Sequence, residues 1–300
     1  MMHPLVISII LNTNRRDDTL ACLESLSKST YTNLKIIVLD NSSTDGSVEA
    51  IHSTHPDVQI IGLTENNGYA GNNNVGIEAA LKQGADWVYV LNEDIVLDHE
   101  CLEKLIEIGE SDQKIGIVGP MVYHHDEPDM IQSAGGMLGK NWESIHLGKN
   151  ESDKGQFREP HQVEWISGCA ILVRRDVIEQ VGPLDKDYFI YWEETEWCIR
   201  AGLAGWKIFH VPEAKIWHKG VQRDYQPKPY VTYYSTRNHL FTLAKHHASL
   251  TAKFYTWKNL LRTLASWSIK PKWRNKRDHR NAMWRGMVDY LLRRSGPMPS

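Results

Sequence analysis

The sequence contains little cysteine and no long hydrophobic run. Its four cysteines lie far apart and form no C-x-x-C pair, which argues against a zinc site or a disulfide framework and favours a reducing compartment. No segment approaches the roughly 18 consecutive apolar residues that a membrane-spanning helix requires. The N-terminal segment has neither the basic start nor the small-residue cleavage site of a signal peptide, so we interpret its apolar stretch as a buried strand.

Two common nucleotide-binding sequences are also missing. The segment LNTNRRDD (residues 11–18) follows the first predicted strand, where a nicotinamide-dependent Rossmann enzyme would carry G-x-G-x-x-G. A sugar nucleotidyltransferase would carry a glycine-rich loop with Arg or Lys at the same place. Both classes of enzyme are therefore disfavoured.

Charge is unevenly distributed, although the whole chain carries a net charge of only −3. Residues 221–300 contain 16 Lys and Arg against 3 Asp and Glu, so the remainder of the chain is strongly acidic. A content of 41% hydrophobic and 24% charged residues is typical of a globular protein with an ordinary core. The basic tail indicates an anionic partner for that region, such as a membrane surface.

Strand and helix patterns alternate along the first two thirds of the chain. We predict strands at residues 5–11, 34–39, 58–63, 86–91, 115–122 and 163–173, and a last strand within IFHVPEAKIWH. We predict helices at residues 17–28, 72–83, 99–109, 176–182 and 193–204, and a helix after residue 43 that is capped by Ser43 or Thr44, with Asp45 in its first turn. Residues 124–160 are expected to be irregular, and the chain from Tyr230 onward helical with a break at Pro271. This order predicts an α/β fold with a mostly parallel central sheet flanked by helices, followed by a helical basic extension.

Polar residues follow several of the predicted strands. They are Asn12, Asp40, Asn66–Asn67 and Asn92–Asp94. Ligands bind parallel sheets beyond the carboxyl ends of the strands, so we expect these residues to form one site. The Asp40 carboxylate can accept the imide N–H of uracil or thymine; alternatively, it opens the turn DNSSTDGS.

The segment LNEDIV (residues 91–96) places two acids and an amide where an apolar strand ends. An unpaired buried carboxylate is unfavourable, so the segment is either a solvated turn or a site for Mg²⁺ or Mn²⁺, which prefer oxygen ligands. The segment ENNGYAGNNNVG (residues 65–76) is either a turn with a helix cap or a site where backbone amides bind a diphosphate. His218 in KIWHKG is a metal ligand or an ordinary structural histidine.

The segment YFIYWEETEWCIRAGLAGW places three acids among aromatic residues. Glu196 can pair with Arg200 one helical turn later. Burial among aromatic side chains would raise the pKa of Glu193 or Glu194 toward the working pH of a general base. Alternatively, the two acids stabilise the start of a helix.

Six segments, in this order, resemble family 2 of the inverting glycosyltransferases, which have the GT-A fold, and within it the bacterial rhamnosyltransferases. They are NTNRRDDTLACLESL, IIVLDNSSTDGS, NNGYAGNNNVGI, YVLNEDIVL, ISGCAILVRRDVIEQVGPLD and YFIYWEETEWCIRAGLAGWKIFHVPEAKIWHKG. The resemblance covers residues 4–245. It implies transfer of a sugar from a dTDP- or UDP-linked donor, with dTDP-rhamnose as the first choice. The implied acceptor is a hydroxyl of a glycan or lipid-linked molecule in cell-surface polysaccharide synthesis.

The resemblance also implies roles for particular residues. The family's D-x-D motif falls on Asn92-Glu93-Asp94, with Asn in its first acidic position, and its metal-binding histidine falls on His218. Asp94 and His218 would therefore bind Mg²⁺ or Mn²⁺. The catalytic Glu-Asp motif falls on Glu193-Glu194, so that either Glu194 or Glu193 would remove the acceptor proton. The expected donor-binding residues are Asn12, Arg15, Asp40, Asn67, Gly68, Gly71, Asn74, Asn92 and Glu93.

We expect a GT-A catalytic domain at residues 1–225, with a donor half at about 1–98 and an acceptor half at about 99–225, and a helical basic extension at 226–300. Tryptophans among Lys and Arg in the extension suit the interface of an anionic membrane; alternatively, the extension packs as a helical hairpin with solvated charges. No nucleic-acid partner is expected, because charge alone supports one. The expected location is the cytoplasm, with peripheral attachment at the inner face of the cell membrane. The alternative to an active enzyme is a nucleotide-sugar-binding pseudoenzyme or assembly subunit, because NED departs from the usual acidic motif.

Overall fold

The structure, a computed structural model, describes residues 3–220 and 225–299. Its strands are β1 (Val6–Asn12), β2 (Leu34–Asp40), β3 (Gln59–Gly62), β4 (Trp87–Asn92), β5 (Ile95–Leu97), β6 (Ile115–His124), β7 (Ile131–Ser133), β8 (Gly136–Leu138), β9 (Ser144–His146), β10 (His161–Gln162), β11 (Ala170–Arg174) and β12 (Lys207–His218). Its helices are α1 (Arg16–Ser27), α2 (Ser47–Thr54), α3 (Gly68–Lys82), α4 (Cys101–Ser111), α5 (Arg175–Val181), α6 (Glu193–Leu203), α7 (Pro229–Lys245), α8 (Leu250–Ile269) and α9 (Arg277–Leu291). Short 3-10 helices lie at Lys186–Tyr188 and Pro271–Lys276.

A central ten-stranded sheet has the order β10-β12-β6-β11-β4-β1-β2-β3, with β5 paired to β12 and β7 paired to β6. The pairs β1–β2, β1–β4, β2–β3 and β6–β12 are parallel. Strand β11 is antiparallel to both β4 and β6. The predicted α/β architecture is confirmed, but the parallel arrangement is continuous only from β4 to β3, and the other half of the sheet is mixed.

Apolar side chains cover both faces of the sheet, which explains why its central strands read as nearly continuous apolar runs. One face packs against α1 and α4 through residues such as Leu23 and Leu105. The other face packs against α3 and α6 through Ile77 and Trp197. Complete burial of an aliphatic side chain contributes about 1.5–3 kcal/mol. The two layers therefore make the sheet a rigid platform for the residues at its edge.

Parallel pairing brings the carboxyl ends of three strands to one edge of the sheet. In the register of β1 with β2, Asn12 lies opposite Asp40. In the register of β1 with β4, Leu11 lies opposite Asn92. Of the strand-end residues predicted to share a site, Asn12, Asp40 and Asn92 are therefore neighbours at this edge.

Helix α3 starts at Gly68, four residues earlier than predicted. Asparagine side chains explain the early start. Asn66 Oδ1 accepts a hydrogen bond from Gly68 N at 3.0 Å, and Asn72 Oδ1 accepts one from Asn67 N at 3.0 Å. These bonds satisfy backbone donors that a helix start leaves unpaired. Most of the segment predicted as a glycine- and asparagine-rich loop is therefore helical.

The predicted cap of helix α2 was wrong. The helix begins at Ser47, and Gly46, not Ser43 or Thr44, precedes it with a φ of +77°. Asp45 lies before the helix rather than in its first turn, and its Oδ1 accepts a hydrogen bond from Ser47 N at 3.1 Å. A left-handed glycine together with an Asp side chain thus takes the place of the predicted Ser or Thr cap.

Two predictions for the middle of the chain were also wrong. Residues 163–173 do not form one strand, because Trp165 leaves the central sheet and pairs with Gly136, whose N donates to Trp165 O at 2.9 Å. Residues 124–160 are not wholly irregular, since they contain β7 and the antiparallel pair β8–β9. Short strands with few alternating residues leave little periodicity to read.

Helices α7, α8 and α9 form a C-terminal layer with an apolar cluster of its own. Its buried members include Leu240, Leu243, Ala252, Met283 and Met287. Pro271 follows α8 and begins a 3-10 helix, so the predicted break is confirmed. The predicted domain boundary at 225/226 adjoins residues 221–224, which lie outside the described residues. No helix in the described parts of the chain is both long and apolar enough to cross a bilayer.

Candidate active site

Asn12 and Asp40 form a hydrogen-bonded corner at the ends of β1 and β2. Asn12 Nδ2 donates to Asp40 Oδ1 at 2.8 Å and to Ser43 Oγ at 3.0 Å. Ser43 N donates to Asp40 Oδ2 at 3.0 Å. Both side chains are buried, and these donors offset the desolvation of the carboxylate. Each carboxylate oxygen keeps a second lone pair, so the corner can still accept a hydrogen bond from a ligand.

Arg15 and Glu93 lie beside this corner. The exposed Arg15 side chain places one guanidinium nitrogen 3.3 Å from Asp18 Oδ2. Burial raises the pKa of Glu93 to about 7, with the Asp94 charge adding and the Arg15 charge opposing. Asn92 ends β4, and its backbone N donates to Cys169 O at 2.9 Å. This edge of the sheet therefore combines acidic and amide groups with the Arg15 guanidinium.

The start of α3 approaches the loop before α6 very closely. Ala70 N donates to Phe189 O at 3.2 Å. Gly68 has a φ of +73°, and a Cβ at this position would collide with Phe189. A Cβ on Gly71 would lie 2.6 Å from Asn67 Cβ. Glycine is therefore required at both positions by packing, whatever ligand the loop also meets.

Asp94 and His218 face each other at the turn after β4 and at the end of β12. His218 Nε2 lies 3.2 Å from Asp94 Oδ1, and the two residues are 6% and 8% exposed. His218 Nδ1 donates to Gln132 Oε1 at 2.7 Å, and this bond orients the ring so that Nε2 faces the carboxylate. Burial acts to raise the pKa of Asp94, but the His218 imidazole outweighs it, and that pKa is lowered overall.

This pair suits a divalent cation. Asp94 Oδ1 is buried and has no hydrogen-bond partner among the described residues, and it lies beside an imidazole nitrogen; a carboxylate oxygen and an imidazole nitrogen are both common ligands of divalent cations. Gly220 borders the pair, and a Cβ there would collide with the Asp94 carboxylate and lie 3.2 Å from His218 Nε2. Within residues 3–220 and 225–299, no group of three or more His, Cys, Asp or Glu could hold a metal ion. A cation here would take its other ligands from phosphate oxygens and water, as Mg²⁺ commonly does.

Glu193 and Glu194 begin α6 after an unusual loop. Phe189, Tyr191 and Trp192 have φ angles of +65°, +66° and +78°. Such angles cost about 1–3 kcal/mol for each residue that is not glycine, so the surrounding structure must hold the loop. The loop turns the two acids inward, and Oε2 of each is buried without a hydrogen bond from any residue that the structure describes. Two unpaired buried carboxyl groups are typical of a functional site.

Burial raises the pKa of both carboxyl groups. For Glu193 the Glu194 charge adds to burial, and the pKa rises well above its usual value. For Glu194, burial also raises the pKa, and hydrogen bonds from backbone amides at the start of α6 oppose that rise. Glu193 is 4% exposed, whereas Glu194 remains partly exposed, beside Gly168. Glu194 is therefore the more accessible of the two carboxyls.

Tyr69 and the Gly168–Cys169 backbone lie between the two acidic groups. Tyr69 Oη donates to Gly168 O at 2.6 Å. Burial raises the pKa of Tyr69, and acids at both the strand end and the helix start add to the rise. Burial likewise raises the pKa of Cys169 to about 12, with Asp94 and Glu194 both adding. Gly168 lies against Glu194, and Cys169 O accepts from Asn92 N at the end of β4, so this short segment contacts both acidic groups.

Two residues of α7 that the sequence analysis missed hold the loop before α6. Asn238 Nδ2 donates to the carbonyl oxygens of Tyr188, Ile190 and Tyr191 at 2.9, 3.0 and 2.7 Å. Arg237 is completely buried and donates to Tyr188 O at 3.1 Å. We call Arg237 and Asn238 the loop clamp. A charged and an amide residue within the aromatic segment YYSTRNH was the signal that could have revealed it.

Gln132 and Gly220 were missed as well. Gln132 lies on β7, 86 residues before His218, so no spacing in the sequence connects them. Gly220 follows His218 by two residues and could have been noticed. One predicted donor-binding residue has a structural partner away from the strand ends, because Asn74 Nδ2 donates to Leu184 O at 2.7 Å. Its contact with a donor stays a prediction.

The sequence profile of Glycosyl transferase family 2 matches residues 8–182. The chain belongs to this family. An N-acetylglucosaminyl-diphospho-decaprenol L-rhamnosyltransferase of Mycobacterium tuberculosis is 29% identical over 247 residues, 75% of this chain and 79% of the relative. The dTDP-rhamnosyl transferase RfbF of Shigella flexneri is 26% identical over 226 residues, 73% of each chain. The predicted likeness to rhamnosyltransferases within the family is confirmed.

Two solved structures share the fold of this glycosyltransferase. A mannosyltransferase from Pyrobaculum calidifontis, in complex with GDP-Man and Mn²⁺, has a TM-score of 0.63 at 16% identity, covering 98% of this chain and 88% of its own. GalNAc-T7 with UDP, GalNAc and Mn²⁺ has a TM-score of 0.67 at 15% identity, covering 96% of this chain and 57% of its own. The predicted GT-A fold is confirmed.

Proposed function

We propose that this glycosyltransferase moves a sugar from a nucleotide diphosphate donor to a hydroxyl of a glycan or lipid-linked acceptor, with inversion at the anomeric carbon, in cell-surface polysaccharide synthesis. The observation that carries the proposal is that Glu193 and Glu194 each keep a buried Oε2 with no hydrogen bond from the described residues, in a fold that also holds the buried Asp94–His218 pair. The first candidate donor is dTDP-rhamnose, because similar proteins are named for rhamnosyl transfer. UDP-linked sugars are the second.

The donor lies over the carboxyl ends of β1, β2 and β4 in this proposal. The Asp40 carboxylate accepts the imide N–H of the base, and Asn12 holds that carboxylate in place. Arg15 meets the diphosphate from the exposed side. The remaining proposed donor contacts are Asn67, Gly68, Gly71, Asn74, Asn92 and Glu93.

Asp94 and His218 would hold Mg²⁺ or Mn²⁺. When bound, the cation neutralises negative charge on the departing diphosphate. His218 is oriented for this by Gln132, which keeps Nε2 pointed at the site. The Asp94 carboxylate supplies the hard oxygen ligand that such cations prefer.

Glu194 removes the proton from the acceptor hydroxyl in the proposed reaction. The freed oxygen attacks the anomeric carbon from the face opposite the diphosphate, the new carbon–oxygen bond forms, and the bond to the diphosphate breaks with its electron pair. Glu193 stays protonated because burial and the Glu194 charge both disfavour its anion. Tyr69, Gly168 and the loop before α6 position the base without exchanging protons.

The departure at Asn92 favours a second candidate, a nucleotide-sugar-binding pseudoenzyme or assembly subunit. Asn lacks the charge of the first acid in the family motif, which weakens attraction for a cation. Such a protein would bind the donor without releasing a nucleotide. Turnover distinguishes the candidates.

The test is a transfer assay with dTDP-rhamnose and with UDP-sugars, Mn²⁺, and a lipid-linked N-acetylglucosaminyl diphosphate acceptor, with and without EDTA. We expect nucleotide diphosphate release that EDTA suppresses, and a product whose anomeric configuration by NMR is opposite to that of the donor. A thermal shift with the preferred donor identifies binding separately, because a ligand stabilises the folded state by mass action. Binding with no turnover would favour the pseudoenzyme, and a retained configuration would rule out the single displacement.

A further inference from the structure

Helix α8 has two apolar sides, and only one of them is covered. Its inner side contributes Ala252 and Thr256 to the interior and packs Trp257, Leu260 and Leu264 against the C-terminal cluster. Its outer side carries Leu250, Phe254, Leu261 and Ile269, which are between 54% and 85% exposed. Their spacings of four, seven and eight residues place them along one side of the helix. We call this set the α8 outer face.

All charged residues in the sequence of α8 and of the segment that follows it are basic. Residues 250–276 contain seven Lys and Arg and no Asp or Glu. Lys258 and Arg262 follow Phe254 and Leu261 along α8. At the end of the helix, an open groove of about 460 Å³ is lined by Arg262, Ala265, Ser266, Ile269, Lys270, Lys272 and Trp273. Apolar side chains, three cations and a tryptophan thus meet in one groove.

This combination matches one kind of partner. We propose that the α8 outer face docks on the surface of an anionic lipid bilayer, with its apolar side chains in the headgroup–acyl boundary and the groove cations on lipid phosphates. Tryptophan and long basic side chains are stabilised at that boundary because each has an apolar stem and a polar end. This proposal rests on the proposed function in one respect: docking would bring the enzyme to a lipid-linked acceptor.

Charge disfavours a symmetric pair of chains as the occupant. In a two-fold dimer the same patch lies on both subunits, so the basic groups around the α8 outer face would oppose each other. An anionic membrane instead supplies the opposite charge. A second copy that docks through its acidic residues is the remaining competitor, and the test below separates it.

The test is flotation of the full chain with vesicles of phosphatidylcholine alone and of phosphatidylcholine mixed with phosphatidylglycerol. We expect binding to the mixed vesicles that added NaCl weakens. The double substitution Phe254→Glu/Leu261→Glu should lower binding at least tenfold. Leu203→Glu, at a leucine that is 74% exposed at the end of α6, should leave it unchanged. Lys270→Glu/Lys272→Glu should remove the preference for anionic vesicles.

Equal binding to the two vesicle types, or unchanged binding of Phe254→Glu/Leu261→Glu, would overturn the proposal. So would light scattering that shows a wild-type dimer converted to a monomer by that double substitution, since the occupant would then be a second copy. Donor turnover in solution is measured on the same preparations. Flotation without turnover would count against the proposed function alone, and turnover without flotation against the membrane proposal alone.

Discussion

Single atoms decide what the strand ends can bind. Gln132 Oε1 orients the His218 ring, and Nε2 then faces an Asp94 oxygen that has no hydrogen-bond partner in the described parts of the chain. At Gly220 the missing Cβ leaves the space that a phosphate oxygen or a water ligand of a cation would need. We therefore expect Gln132, His218, Asp94 and Gly220 to act together in binding a cation.

Gly220→Ala tests this arrangement at the residue scale. The new Cβ would press on the Asp94 carboxylate, and we expect Mn²⁺ affinity in the presence of a nucleotide diphosphate to fall about 10–100-fold, the range seen when outer contacts of a metal site are disturbed. Titration of the Mn²⁺ EPR signal measures this without turnover.

Gly202→Ala is the matched control, because a Cβ at Gly202 has no atom within 4 Å and the residue lies in helix α6. We expect its Mn²⁺ affinity to equal that of the wild type. Equal affinities for all three proteins would mean that the space beside Asp94 does not contribute to cation binding.

The loop before α6 is the element that the loop clamp holds. Its positive φ angles are unfavourable without support, and Asn238 provides that support through three carbonyl oxygens. The helix that carries Asn238 lies outside the matched family segment, at residues 229–245. The C-terminal layer therefore positions the proposed base.

Asn238→Asp tests the clamp. The carboxylate would direct lone pairs at the carbonyl oxygens to which the amide now donates. We therefore expect the free energy of unfolding to fall by about 1–3 kcal/mol. We also expect a lower kcat and an unchanged Kd for the donor. Urea unfolding and steady-state kinetics measure the two effects.

Tyr123→Phe serves as the control for stability, because it removes a part-buried hydrogen bond from Tyr123 Oη to Asp153 on strand β6, and not on α7 or the loop before α6. We expect its kcat to stay at the wild-type value at temperatures where both variants are folded. If Asn238→Asp also kept the wild-type kcat there, the clamp would be structural only.

Helices α6 and α7 are joined by a second contact, around the Glu196 carboxylate. Arg200 Nε, Lys245 Nζ and His246 Nε2 lie 2.8, 2.7 and 3.0 Å from its oxygens. Burial acts to raise the pKa of Glu196, but these partners outweigh it and lower the pKa to about 2. Because the folded-state pKa lies below the ordinary value, the contact stabilises the fold at neutral pH and loses its effect as the pH falls toward 2.

Glu196→Gln should therefore lower the free energy of unfolding by about 3 kcal/mol at pH 7, and the difference from wild type should shrink as the pH is lowered. Urea unfolding across the pH range measures it. Glu78→Gln removes an exposed contact with Lys82 and should leave stability nearly unchanged, because solvent screens such a pair. A loss in Glu196→Gln that did not depend on pH would contradict this account.

At the scale of the whole molecule, the sequence predicted the features that depend on local pattern. Apolar strands followed by Asn12, Asp40 and Asn92 were sufficient to predict their common edge, because parallel strands end on the same side. The direction of β11 and the hairpin β8–β9 depend on contacts between distant segments, such as Trp165 with Gly136. No local pattern records such contacts.

The same distinction applies to the candidate site. Acids among aromatics were visible in the sequence, whereas the ranking of Glu194 over Glu193 depends on burial and on backbone amides at the start of α6. The loop clamp and the α8 outer face depend on which side of a helix packs inward. When polar and apolar residues are mixed around the axis of a helix, its sequence does not indicate which side packs inward.

The most direct test of the account is the transfer rate of Glu194→Gln beside Glu193→Gln, with donor affinity measured for both. Glutamine cannot accept the acceptor proton, so Glu194→Gln should lower kcat by about 10²–10⁴-fold while donor Kd stays at the wild-type value. Glutamine resembles a protonated carboxyl, so Glu193→Gln should retain most of the activity. Wild-type kcat in Glu194→Gln, or the larger loss in Glu193→Gln, would contradict the assignment of Glu194 as the base.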